Sequence, residues 1–144
     1  MVVHFPIALM FTATLIDFVG LLARHKQALI MGFVLETLGL VSLAAAAGAG
    51  WISEHSVHIT SPAVLTLLAA HRRDAILTSL MFGLVWLYRV ARHRLPGVGA
   101  SWVHFTGMLV GLGLLTATAS LGGALVYQHG VGVAAALLAG PLLG

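Results

Sequence analysis

Four long apolar stretches, separated by short polar connections, account for most of this chain. Each stretch is near the roughly 20 residues that cross a ~30 Å hydrocarbon layer as a helix. The spans predicted from this pattern cover about residues 4–23, 29–52, 72–91 and 102–127. Because the connections are short, neighbouring helices should run antiparallel. The pattern predicts an all-α, integral membrane four-helix up-down bundle that forms a single domain over residues 1–144.

The third helix and the end of the chain depart from the simple pattern of membrane spans. Ser61-Pro62 is typical of a helix start, with proline at the first helical position. The helix is therefore expected to begin there, and the charged segment His71-Arg72-Arg73-Asp74 divides its leading turns from the membrane span. The tail 131–144 is apolar but too short to cross again. We expect it to lie on the membrane surface or to pack against a partner.

Composition supports lipid as the solvent. The chain is 60% hydrophobic and 8% charged, whereas a soluble domain has about 25% charged residues. The absence of cysteine excludes thiolate ligands, covalent c-type haem attachment and iron–sulfur clusters. The net charge of +3 comes from basic residues near span ends, where they orient helices. The lipid bilayer is therefore the expected partner, and nucleic acid is not.

The basic residues also predict an orientation. The connections between spans one and two and between spans three and four carry more of them than the opposite side, which has Arg72 and Arg73 beside acidic residues. The set on the first side is Arg24, Lys26, Arg89, Arg92 and Arg94. By the positive-inside rule this side is cytoplasmic. Both termini are then expected outside, which in a bacterial inner membrane is the periplasm.

Three histidines fall at span ends on the side of the termini. His4 begins span one, His71 precedes the membrane part of helix three, and His129 follows span four. Antiparallel geometry predicts similar depths for all three, near the outer interface. Histidine at membrane depth is costly unless it binds something. Imidazole ligands with no cysteine and little acid nearby favour haem b over a hard metal, although imidazole also suits zinc and copper.

The sequence does not decide which two of the three histidines would be the axial ligands of a haem iron. Helices one and three are expected to be diagonal in the bundle, which favours His4 with His71. Gly122 lies seven residues before His129 on the same helical face and could leave room for a porphyrin, which favours His129. Arg72 and Arg73 are placed to pair with haem propionates. Alternatively, all three histidines are ordinary interfacial residues.

Both ends of the chain resemble a known family at these same residues. The VHFPIAL run at residues 3–9 and the LGGALVYQHGVGV run at 121–133 are similar to the opening and closing motifs of the DUF2231 family of predicted four-helix bacterial membrane proteins. Asp17 and His71 also fit the family pattern. Ala124 departs from it, because the family often has glutamate there, and the His-Pro residues that often precede the first motif are missing. Members fused to Rieske-type or cytochrome domains imply membrane electron transfer.

Polar residues also lie inside the spans near the opposite side. Asp17 and Glu36 are each about seven residues from that boundary, roughly 10–12 Å deep. His104 lies at a shallower depth on span four. Charged groups in lipid are expensive and mark functional sites, so these three residues are a candidate proton path or quinone site. The alternative is a structural contact in which an acid pairs with His104 or Arg89.

These observations leave three functions open. The first is a haem b electron-transfer subunit that works with membrane or periplasmic redox partners, with quinone as an additional cofactor. The second is a non-redox subunit that anchors a membrane complex. The third is a metal or proton transporter based on the histidines and acids. The sequence has no nucleophile–base set, phosphate loop or nucleotide motif, so a stand-alone enzyme is not expected.

Overall fold

Four helices build the molecule in the computed structural model, which describes residues 4–56, 61–93 and 100–131. They are α1 (His4–Leu22), α2 (Lys26–Ser56), α3 (Pro62–His93) and α4 (Trp102–Tyr127). All four are long and apolar enough to cross a membrane. A helix satisfies its backbone hydrogen bonds within the segment, which lipid requires. The all-α four-helix prediction is confirmed.

The helix ends agree with the predicted spans for α1 and α4 and extend them for α2 and α3. Helix α3 begins at Pro62, as the Ser61-Pro62 pair predicts, and continues without interruption through the charged segment. With 31 and 32 residues, α2 and α3 are each about 47 Å long, well beyond a ~30 Å hydrocarbon layer. Predictions for Arg94 and for the tail from residue 132 lie outside the described residues.

We call the end of the bundle that holds the α1–α2 and α3–α4 connections the loop end. Three local signals shape the helix ends there. Arg24 adopts a left-handed backbone, with φ of 52°, and turns the chain out of α1. The Ala28 amide then donates to His25 Nδ1 at 3.3 Å, which caps the start of α2. At α4, Ser101 is the N-cap residue. The opposite end, with His4 and Tyr127, is the terminal end.

Close packing joins α1 to α2 and α3 to α4 as two antiparallel pairs. In the first pair, a Cβ at Gly39 would lie 3.0 Å from Met10 Sδ. In the second pair, a Cβ at Gly111 would lie 2.6 Å from Phe82 Cε1. Both glycines let the helix backbones approach closely, and so do Gly32 and Gly107. Gly113 does not, since its Cβ would meet nothing within 4 Å.

Aromatic contacts connect the two pairs. Phe18 of α1 stacks on Phe105 of α4, with ring centroids 5.4 Å apart. Phe33 of α2 stacks on Trp86 of α3 at 6.4 Å, and the Trp86 indole N–H donates to Thr37 Oγ1 at 3.0 Å. In the described chain, α1 makes no close backbone contact with α3, nor α2 with α4. The predicted diagonal arrangement of α1 and α3 is confirmed.

An apolar core fills the middle of the bundle. Met10, Phe82 and Met108 are fully buried there, with smaller residues of α1, α3 and α4 around them. Large hydrophobic residues such as Leu15 and Leu84 instead point outward and are 64% exposed, as expected for a surface that faces lipid. This core separates the polar residues of the terminal end from those of the loop end.

Candidate functional site

Each helix contributes one ionisable side chain to a buried group in the loop-end half of the bundle. These residues are Asp17 of α1, Glu36 of α2, Arg89 of α3 and His104 of α4, and we call them the four-residue cluster. Their side chains are between 0% and 3% exposed. Charged groups are rarely buried to this degree unless they are paired. The cluster is the candidate functional site.

Arg89 lies at the centre of the cluster. Its Nη1 donates to Asp17 Oδ2 and, at 2.8 Å, to Glu36 Oε2. Its Nη2 donates to Asp17 Oδ1 at 2.9 Å and to the carbonyl oxygen of Leu29. The two parallel bonds to Asp17 are the bidentate geometry that a guanidinium forms best. One guanidinium thus binds α1 and α2 to α3.

His104 lies between the two carboxylates. Its Nε2 is 3.2 Å from both carboxylate oxygens of Glu36. Its Nδ1 is 4.0 Å from Asp17 Oδ2 and has no hydrogen-bond partner among the described residues. The Ser101 hydroxyl accepts from the His104 amide at 3.2 Å, which fixes the first turn of α4. Each ring nitrogen therefore faces an acidic side chain.

Two neighbouring residues of α2, Gly32 and Phe33, pack closely against the cluster. A Cβ at Gly32 would overlap the Asp17 carboxylate, so glycine is needed where α2 passes this group. The Arg89 guanidinium lies 5.5 Å from the centroid of the Phe33 ring, a cation–π distance. The guanidinium is thus enclosed by acid on one side and by an aromatic ring on another.

The charges of the cluster do not balance without an added positive charge. When both acids are ionised, Asp17 and Glu36 contribute two negative charges, and Arg89 contributes one positive charge. An uncompensated charge at this depth is very costly. Oxygen and nitrogen atoms of Asp17, Glu36 and His104 lie within 4.8 Å of one another, close enough to hold a metal ion. Arg89 already binds both carboxylates, however, so a metal would have to displace it. A proton on His104 balances the charge without any displacement.

The outer histidines have different surroundings. His71 is partly buried, and its Nδ1 donates to the Thr118 carbonyl at 3.0 Å, because a carbonyl can only accept. A Cβ at Gly122 would lie 3.0 Å from His71 Cε1. His4 and His129 are both exposed, at the start of α1 and just after α4. In the described part of the chain, the three do not form a close group of metal ligands.

Gly122, the glycine expected to leave room for a porphyrin beside His129, lies against His71 in the structure. The antiparallel register of α3 and α4 places Gly122 directly against the His71 ring, which fills the space that the missing side chain leaves. The arginines expected to pair with haem propionates have protein partners. Arg72 binds Glu54 at 3.1 Å and Arg73 binds Asp74 at 2.9 Å, and both arginines are more than half exposed.

A family model described as a predicted membrane protein, DUF2231, matches residues 1–135. This chain belongs to the DUF2231 family. No curated protein matches it, and no solved structure does. Membership confirms the resemblance seen at both ends of the sequence and agrees with the four apolar helices.

Within this DUF2231 protein, the three residues of the predicted proton or quinone site come together, and the alternative pairing of an acid with Arg89 or His104 is present as well. The sequence also counts Arg89 among the basic residues of the connection between spans three and four. Arg89 is 2% exposed, so it does not contribute to the charge of the loop-end surface. Two acids at one depth require a cation at that depth, and Arg89 is the basic residue nearest to it on the third span. That requirement is the signal that identifies Arg89.

Proposed function

We propose that this DUF2231 chain is a proton-transporting membrane protein whose four-residue cluster binds and releases one proton. The observation that supports the proposal is the position of His104, with Nε2 at 3.2 Å from Glu36 and Nδ1 facing Asp17 at 4.0 Å. An imidazole between two carboxylates can accept a proton at one nitrogen and give it up at the other.

Charge balance favours a bound proton. A protonated His104 donates from Nε2 to Glu36 and directs its second N–H toward Asp17, and the cluster then has two charges of each sign. Without that proton, a nitrogen lone pair faces a carboxylate and one negative charge remains uncompensated. The proton belongs to the coupled group rather than to one residue. Its release therefore changes the net charge in the buried loop-end half of the bundle.

The central arginine favours a proton over a metal ion. A divalent metal bound to Asp17, Glu36 and His104 would lie beside the Arg89 guanidinium, which donates to both carboxylates. The resulting excess of positive charge is unfavourable in a medium of low dielectric constant. One proton gives a neutral cluster with all four side chains in place. The sequence predicts the same three residues as a candidate proton site, and Arg89 is the fourth member of the cluster.

The test combines spectroscopy with transport. Nitrogen-15 NMR of histidine in nanodiscs should show a signal of a charged imidazolium near neutral pH that disappears in His104→Gln. Proteoliposomes driven by a potassium diffusion potential should take up protons faster than empty vesicles, and His104→Gln should abolish this difference. His25→Gln, which changes an exposed loop-end histidine, is the matched control. A neutral His104 at all pH values, or a flux equal to that of empty vesicles, would refute the proposal.

The placement we propose is a bacterial plasma membrane with both termini in the periplasm. Arg24, Lys26 and Arg92 are exposed at the loop end, and exposed basic residues favour the cytoplasmic side. The chain has no cysteine, so single cysteines report sidedness. In whole cells, Gln128→Cys should react with an impermeant thiol reagent, and His25→Cys should react only after lysis. The reverse pattern would invert this topology.

Haem b electron transfer is the second candidate, and the hydrogen bond of His71 favours it. Because Nδ1–H donates to Thr118, Nε2 of the neutral ring carries the lone pair that a metal needs, the usual arrangement of metal-binding histidines. Purified protein should then show a b-type haem spectrum that His71→Ala eliminates and His25→Ala retains. A colourless protein without proton flux would instead fit the anchoring subunit.

A further inference from the structure

A cavity of about 260 Å³ opens at the loop end, between the end of α1 and the start of α2. It is lined by Gly20, Leu21, Arg24, Lys26, Leu29 and Ala100. Ala100 precedes the N-cap residue of α4. The cavity is thus on the side of the molecule that holds the four-residue cluster.

Leu29 belongs to both the cavity and the cluster surroundings. It lines the cavity and is only 7% exposed. Its carbonyl oxygen accepts a hydrogen bond from Arg89 Nη2. The backbone of this residue therefore contacts the buried guanidinium.

The Leu29 side chain packs against Gly20. A Cβ at Gly20 would lie 2.6 Å from Leu29 Cδ2, so the leucine occupies the space where another residue would have its side chain. Gly20 follows Asp17 by three residues, and positions three apart share a helical face. The Leu29 side chain therefore packs against the face of α1 that also carries Asp17.

We infer that this cavity is the route between the cluster and water at the loop end, and that the Leu29 side chain is its movable apolar plug. This inference rests on the proposed function. When the side chain moves aside, a cavity water donates one proton toward His104, and the resulting hydroxide is neutralised by the bulk. Release is the reverse step. Arg24 and Lys26 line the cavity, and their charges repel metal cations, whereas a proton can pass along hydrogen-bonded water.

The first experiment measures proton uptake in nanodiscs after a pH jump, with a pH-sensitive dye in solution. Leu29→Ala keeps the backbone carbonyl that binds Arg89 but shortens the plug. Because less buried apolar surface must move, uptake should be faster by about tenfold. Leu125→Ala is the matched control, since Leu125 is also buried, at 4% exposure, but lies near the terminal end. Equal rates for Leu29→Ala and wild type, or equal acceleration by Leu125→Ala, would overturn the route.

The second experiment fills the cavity instead. Ala100→Cys introduces the one thiol of the protein, and a bulky impermeant reagent attached there should slow uptake because it fills the cavity. The same label on Leu22→Cys, which is exposed at the end of α1 and does not line the cavity, should leave the rate unchanged. No slowing at Ala100→Cys would overturn the route.

The two proposals fail in different ways. If proteoliposomes with His104→Gln take up protons as fast as those with wild type, the proposed function is refuted and the route with it. If uptake depends on His104 but neither Leu29→Ala nor labelled Ala100→Cys changes its rate, the function stands and the route is wrong.

Discussion

The Arg89 side chain alone makes four hydrogen bonds to two other helices. Its guanidinium donates to Asp17, Glu36 and the Leu29 carbonyl, which lie on two other helices. The guanidinium is 3% exposed. Removal of one member of a buried ion group leaves the others uncompensated, which is why such changes are far more damaging than changes to surface pairs.

Arg89→Gln should therefore destabilise the protein by about 3–5 kcal/mol. The two carboxylates would lose their cation while staying buried. Denaturant unfolding in bicelles measures the effect, with Arg92→Gln as the control because Arg92 is exposed and contacts Tyr88. Arg89→Gln combined with Asp17→Asn should recover part of the loss. Equal stability of the two arginine variants would contradict the central role of Arg89.

Asp17→Asn tests the charge balance by a different change. With one carboxylate removed, Arg89 and Glu36 balance each other, so the cluster no longer needs a proton. His104 should then be neutral near pH 7, and the imidazolium signal in its nitrogen-15 spectrum should disappear. Asp74→Asn is the control, since Asp74 pairs with Arg73 outside the cluster. A His104 that stays charged in Asp17→Asn would show that charge balance does not hold the proton.

At the scale of helices, glycines determine which faces meet. Gly39 against Met10 and Gly111 against Phe82 hold the two antiparallel pairs at short range. The sequence places glycines along spans two and four, but it does not say which residue each one faces. Gly122 is an example. His129 lies beyond the end of α4, and the register between α3 and α4 places Gly122 against His71.

The same limit explains the helix ends. Apolar spans indicate where lipid begins and ends, and those boundaries predict α1 and α4 well. They miss the last turn of α2, because helical hydrogen bonds continue beyond the hydrocarbon layer where water also satisfies the backbone. The first turns of α3 also lie outside the apolar span, and the Ser61-Pro62 pair predicts them instead. The role of Arg89 is likewise not visible in the local sequence, because its acidic partners lie 53 and 72 positions away along the chain.

Gly111→Ala and Gly113→Ala form a matched pair on α4. Both replace a helical glycine with alanine, which alone favours the helix by about 1 kcal/mol. Gly111→Ala should nevertheless destabilise the protein by about 1–3 kcal/mol, because the added methyl group meets Phe82. Gly113→Ala should be neutral or stabilising. Bicelle unfolding provides the comparison, and identical stabilities would show that α3 and α4 can separate at no cost.

At the scale of the whole molecule, two helical hairpins meet across aromatic stacks and one charged cluster. Asp17 and Glu36 lie on the first hairpin, and Arg89 and His104 lie on the second. Apolar surfaces give little driving force for association in lipid, where polar contacts and close packing must supply it. The cluster is therefore the strongest specific link between the hairpins.

Separate hairpins should consequently assemble when the chain is divided between α2 and α3. Two fragments, 1–58 and 59–144, co-expressed in one membrane, should purify together through a tag on either fragment. Arg89→Gln should weaken their association by about a hundredfold or more, in line with a broken buried pair. Arg92→Gln should retain it. Copurification that survives Arg89→Gln would show that the aromatic stacks suffice.

The division of charge between hairpins has a consequence for biogenesis. The chain is synthesised from its N-terminus, so Asp17 and Glu36 reach the bilayer before Arg89 exists. Ionised acids are costly there, so under the proposed function each should enter the membrane as a neutral carboxylic acid. When the second hairpin brings the Arg89 guanidinium, one carboxylate can ionise beside it and release its proton, and the proposed cluster keeps the other. On this proposal, assembly of the two hairpins would itself release one proton.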